Sequence, residues 1–313
     1  MTNLSEFTFL SSDGKTQLHG MPWEPEGVAV RAVLQICHGV AEHIARYDGF
    51  ARALNEQGIV VAGHDHLGHG KSLPEGGTPV YFGDGNTWNT VVDDIYVLHQ
   101  RLKQRYPDVP LCIMGHSMGS FLTRTYLIRY PGTVKAAVIM GTGWQPRAAI
   151  TGGLALANAI AAVSGENATS ELVTELAFGS YNKLFAPNRT KVDWLSADES
   201  NVDDYIADPL CGADATVGLF RQMLHGIRFN QRQSHLRQMD REMPVLFVAG
   251  DKDPVGSCGK GVRQTYDAFR AAGMRDCTLK LYPGLRHEIL NEKAYAADIT
   301  KDIEAWLLSR LEK

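Results

Sequence analysis

The sequence is short of the features that mark secreted, nucleic-acid-binding or membrane-spanning chains. Its 313 residues include five cysteines, an odd number, and no two of them form a C-x-x-C pair. Neither a disulfide framework nor a zinc site is suggested by that spacing. Cys37 and Cys112 sit in apolar runs and read as small core residues. Positive charge is not in excess: 31 Lys and Arg stand against 35 Asp and Glu, a formal net charge of -4, so no nucleic-acid partner is expected. Residues 1–6 show neither a basic n-region nor an apolar h-region, so no secretory signal is expected and a cytoplasmic protein is the default. One uncharged stretch, 148–165, is long enough for a membrane span. Its Ala, Gly, Thr151, Asn158 and Ser164 make transfer into lipid poor, so it is read as something else. No internal repeat or low-complexity tail is present.

What is there is an alternation. Residues 6–23 alternate apolar and polar on both sides of Ser12-Asp13-Gly14-Lys15, the pattern of an opening antiparallel hairpin. Apolar runs at 32–37, 59–63, 111–114, 134–140, 244–250 and 277–282 read as buried strands. Between them lie helical patterns at 47–57, at Trp88, Val91, Val92, Ile95, Leu98 and Leu102, at 121–127 and near 260–272. A closing helix carries Ile299, Ile303, Trp306 and Leu307 on one face. Strand and helix in turn predict parallel βαβ units in a mostly parallel, doubly wound sheet. The rhythm stops from 143 to 241, where helical patches are broken by Gly, Asn, Asp and Pro. The expected organisation is a core of 1–142 and 242–313 with 143–241 inserted as a helical cap or lid.

The chemistry is expected at the third of these strands. Leu111-Cys112-Ile113-Met114 runs into Gly115-His116-Ser117-Met118-Gly119 and then into a helical pattern. This is the G-x-S-x-G nucleophile elbow in its strand–turn–helix setting, with Ser117 on a strained turn at a helix N-terminus. A serine hydroxyl needs a base, and the base needs an orienting acid. With this elbow the partners follow in the order acid, then His, on loops after later strands. His287 is the only histidine after Asp253 and is the expected base. Asp253, deeper in its loop than Asp251, is favoured as the acid. The two amides for a developing oxyanion are expected from Met118 and Val40.

The motifs His38-Gly39-Val40-Ala41-Glu42-His43 with Arg46-Tyr47, Asp65-His66-Leu67-Gly68-His69-Gly70-Lys71-Ser72, Gly115-His116-Ser117-Met118-Gly119, Gly250-Asp251-Lys252-Asp253-Pro254 and the late His287 resemble those of the monoacylglycerol lipase and lysophospholipase-like serine hydrolases. The resemblance covers both core segments. It implies an α/β-hydrolase fold, a Ser117, Asp253 and His287 triad, oxyanion donors at Val40 and Met118, and neither cofactor nor metal. It also implies that His38, Gly39, Glu42, His43, Arg46 and His116 support the oxyanion loop and the elbow. Ile44-Ala45 and Ser120 depart from the family pattern without removing a catalytic group.

The expected activity is hydrolysis of single-chain lipid esters through an acyl-enzyme, with a small acyl ester as partner and transient contact with a membrane or micelle through the cap. A short-chain carboxylesterase or an aminopeptidase would use the same triad, the latter with cap acids such as Glu166, Glu171, Glu175, Asp198 or Glu199 holding a free amine. A non-catalytic ligand-binding protein is the remote alternative. Leu154, Leu156, Ile160 and Val163 are expected on one apolar face of a short cap helix. Trp144, Phe178, Phe185 and Trp194 are read either as pocket wall or as core.

Overall fold

A computed structural model describes residues 6–311; of the stretch read for a signal, residues 1–5 lie outside them. Eight strands form one sheet in the order β1-β2-β4-β3-β5-β6-β7-β8. β1 (Phe7–Leu10) and β2 (Gln17–Trp23) make the opening hairpin, antiparallel to each other, and β2 runs antiparallel to β4 (Ile59–His64). All other pairs, through β3 (Ala32–Cys37), β5 (Leu111–His116), β6 (Ala137–Met140), β7 (Val245–Gly250) and β8 (Cys277–Tyr282), are parallel. β6 is shorter than the run at 134–140 suggests, although Lys135 N–H still donates to Leu111 O at 2.7 Å.

Alternate residues of each central strand feed two cores, as the two-residue period of a strand requires. Leu34, Ile36, Cys112 and Met114 pack with α1 (Asp48–Asn55) and α11 (Ala296–Leu311). Val33, Cys37, Leu111 and Ile113 face the other way, onto α2 (Thr87–Arg105), α3 (Met118–Arg129) and α10 (Lys260–Ala272). Ile299, Ile303 and Leu307 of α11 are buried as their spacing predicts, and Trp306 is half-buried.

The 143–241 segment holds helices and no named strand: α4 (Arg147–Ser164), α5 (Glu171–Thr174), a π-helical turn (Glu175–Gly179), α6 (Ser180–Lys183), α7 (Glu199–Ala207), α8 (Val217–Asn230) and α9 (Gln233–Leu236). α8 rests on α3 and carries α4. α4 is longer than expected, 18 residues, and among the described residues it is the helix that passes a membrane-span test of length and composition alone. The apolar face also differs. Ile150, Leu154 and Ala157 are buried, Leu156 and Ile160 are half-buried, and Val163 is 88% exposed. The reason is geometric: α8 covers only the stripe at i, i+4 and i+7, so Val163 points away from it.

Candidate active site

The elbow is tight because β5 and α3 nearly touch. A Cβ on Gly115 would meet the Gly119 carbonyl, and one on Gly119 would meet the Cys37 carbonyl of β3. Ser117, between them, takes φ 55° and ψ -123°, a conformation that non-glycine residues avoid. Its N–H donates to Met140 O of β6 at 3.0 Å, which fixes the turn against the sheet. Ser120, a departure from the family pattern, turns its hydroxyl back onto Ser117 O at 2.6 Å.

His287 and Asp253 come from the loops after β8 and β7. His287 Nδ1–H donates to Asp253 Oδ1 at 3.0 Å, which leaves Nε2 free of its proton. The same Oδ1 accepts from Val255 N–H at 2.9 Å, and Asp253 is fully buried. Asp251 instead accepts from Gly284 N–H at 2.8 Å and shapes the neighbouring turn. Trp194 packs against His287, ring centroids 5.1 Å apart, so this aromatic is wall of the site. Phe178 stacks on Trp194 at 6.0 Å. Phe185 lies under the Arg286 guanidinium, 4.0 Å from its ring centroid, and Trp144 packs in the core.

Ser117 opens into two adjoining cavities that share Val40, Ser117 and Phe178. The larger, about 540 Å³, is lined by Met118, Phe121, Ile150, Leu156, Leu176 and Leu224 among others. The smaller, about 240 Å³, holds His287 and is edged by Lys191, Tyr205 and Asp214. Met118 is the first residue of α3, so its amide is one of the unpaired donors of a helix start.

Behind the site lies a buried ionic network that joins its parts. Glu42 accepts from Gly39 N–H, from Tyr47 OH at 3.0 Å and from Arg46 at 3.0 Å. Arg46 also grips Glu288 with two nitrogens, at 2.7 and 2.8 Å. Glu288 accepts from Asn201 Nδ2 at 2.9 Å and donates its backbone N–H to Leu195 O at 2.8 Å. His116 has Nδ1 at 3.2 Å from Glu42 and Nε2 at 3.3 Å from His287 O. Both partners are acceptors, so either ring nitrogen has one within reach when it carries a proton. Burial opposes the charged form of the ring, but the Glu42 carboxylate outweighs it and raises the His116 pKa. Burial likewise opposes ionised Glu42, and His116 and Arg46 hold it well below the usual range. Glu288 is lowered against its burial by Arg46.

His38 braces the loop from the other side. Its Nδ1–H donates to Gly39 O at 2.8 Å, and its Nε2 accepts from His66 N–H at 3.0 Å. His43 instead reaches outward to Asp208, at 2.8 Å. Sequence reasoning missed Glu288. Its only signal was adjacency to His287, and its main partner lies 242 positions away.

The sheet, the elbow and the flanking helices are those of an α/β-hydrolase, as the motifs implied. The chain belongs to the Hydrolase_4 family, described as serine aminopeptidase, S33, whose model matches residues 28–294. A monoacylglycerol lipase of Mycolicibacterium smegmatis is 31% identical over 312 residues, 98% of each chain. A monoglyceride lipase of Mus musculus is 28% identical, over 92% of this chain and 86% of that one. Among solved structures, a thermostable carboxyl esterase from Bacillus coagulans superposes with a TM-score of 0.91 at 26% identity, covering 98% of both chains.

Proposed function

We propose that this protein is a serine ester hydrolase of single-chain lipid esters, with monoacylglycerols as the leading substrates and lysophospholipids next. Ser117 Oγ attacks the ester carbonyl while His287 Nε2 takes its proton. Asp253 orients His287 and stabilises the imidazolium. The amides of Val40 and Met118 hold the oxyanion. Collapse of the tetrahedral intermediate expels the alcohol, which takes the proton from His287, and leaves the acyl group on Ser117. Water activated by His287 then releases the fatty acid. No cofactor takes part.

The observation that carries this reading is the pair of cavities meeting at Ser117. The larger, apolar one suits an acyl chain, and the smaller one, beside His287, suits the leaving alcohol. Relatives of similar length bear the names monoacylglycerol lipase and monoglyceride lipase. Residues 143–241 then act as a cap over a core of 1–142 and 242–313. The exposed Val163, Leu172, Leu176 and Leu184 are the part of that cap that meets a lipid surface. Recognition of a free amine is disfavoured, because Glu166 pairs with Arg221, Glu175 pairs with Lys183 and Asp198 caps α7.

The test is fatty-acid release from monoacylglycerols of increasing chain length, with matched lysophospholipids and aminoacyl amides beside them and Ser117→Ala as blank. Preference for long-chain monoacylglycerols, increased by vesicles, is the expected result. Turnover confined to amides would overturn it.

A further inference from the structure

We propose that His43, Asp208 and Cys211 form a binding site for a thiophilic divalent cation, Zn²⁺ being the best match, which ties the cap to the oxyanion loop. One imidazole nitrogen, one carboxylate oxygen and one thiol sulfur lie within 4.8 Å of one another. Bond lengths of about 2.0–2.3 Å to such ligands put the donors of a tetrahedral zinc roughly 3.3–3.8 Å apart. The cluster is therefore within about an ångström of ligating geometry. The donor set of nitrogen, oxygen and soft sulfur suits zinc and its neighbours rather than Ca²⁺ or Mg²⁺.

Charge favours the same occupant. In the adjoining network Arg46 and His116 face Glu42 and Glu288. Among the described residues Asp208 has no Lys or Arg within ion-pair distance; its carboxylate accepts from His43 Nε2–H at 2.8 Å. A divalent cation held by this carboxylate and a Cys211 thiolate makes a neutral group. Binding would release the thiol proton to solvent and move the His43 proton from Nε2 to Nδ1, freeing Nε2 to ligate. The fourth position would stay open to water.

The scaffold is already fixed. Gly212 N–H donates to Ala41 O at 3.0 Å, and Tyr205 OH donates to the same oxygen at 2.9 Å. Leu210 N–H donates to Asp208 Oδ1 at 2.9 Å, leaving Oδ2 toward His43. His43 ends the loop that begins at His38 and contains Val40, so an ion there joins residues 208–211 of the cap to the segment expected to hold the oxyanion. Spacing could not reveal the site, because its donors are split between position 43 and positions 208 and 211.

Co²⁺ is the probe, added to full-length protein first stripped with chelator. The expected result is one Co²⁺ per chain with a thiolate-to-cobalt charge-transfer band, displaced by Zn²⁺. Cys211→Ser should lose the band and bind about tenfold or more weakly, whereas Cys258→Ser, at an exposed thiol, should keep both. His43→Gln and Asp208→Asn should each weaken Co²⁺ binding by ~10–100-fold. Zn²⁺ should raise the Tm of the wild type and not that of Cys211→Ser. Absence of the band, or its persistence in Cys211→Ser, would overturn the proposal.

Discussion

Beneath Ser117 lie the ends of β3, β5, β6 and β7, a strained elbow and a closed set of buried ion pairs. Above it lies α4, which buries only Ile150, Leu154 and Ala157, with leucines of the 171–184 stretch left open to solvent. In the floor a Cβ at Gly115 or Gly119 would strike backbone. In the roof Gly152 has nothing within 4 Å of where a Cβ would stand. The floor holds reacting groups in place, which requires rigidity. On the proposed function the roof admits and releases an apolar chain, which requires slack. On this account the reaction type belongs to the floor and the choice of substrate to the roof.

Five substitutions would sharpen or break that contrast. Ser117→Ala removes the proposed nucleophile and should lower turnover on the order of 10⁴-fold or more while leaving the Tm nearly unchanged. A Tm that collapsed with it would mean the serine is structural. Arg46→Ala should cost about 3–5 kcal/mol in urea unfolding, because Glu42 and Glu288 would remain buried without their cation. A loss below about 1 kcal/mol would show that the network is not held ionised.

Acid should act on the floor selectively. Burial, with help from neighbouring histidines, lowers the pKa of His64 from 6.5 to about 3 and that of His69 to about 4. The unfolded chain takes up those protons first, so stability should be full above pH 6.5 and fall as the pH drops toward about 3. His64→Phe, in a site where neither ring nitrogen has a partner and Phe9 packs alongside, should flatten that slope in Tm-against-pH measurements. An unchanged slope would contradict this assignment. The last test is a paired one, and its Gly152 arm is the smallest effect expected. Gly119→Ala should destabilise by several kcal/mol through its clash with β3, whereas Gly152→Ala should stabilise by about 0.5–1 kcal/mol. Equal effects would erase the distinction.

The same contrast explains what could be read in advance. The strands, the hairpin and the elbow are legible because steric rules act locally: a two-residue period, and small residues where Gly115 and Gly119 let backbones meet. Loop depth favours Asp253 over Asp251, and it is Asp253 that lies within hydrogen-bond distance of His287. Glu288 was not, since its role arises from Arg46 and Asn201, far away in the chain. The roof resisted for another reason. Helical periodicity shows that a face exists but not which neighbour covers it, so Val163 was placed on a face that α8 does not reach.

The most direct test is to label the protein with a small fluorophosphonate, locate the adduct by peptide mass, and repeat this with Leu176→Asp. Leu176 is 63% exposed and lines the larger cavity. The account predicts a single adduct on Ser117 at the same rate in both proteins, with long-chain ester turnover lowered only in the variant. An adduct elsewhere, or labelling slowed in the variant as much as turnover, would contradict the division between floor and roof.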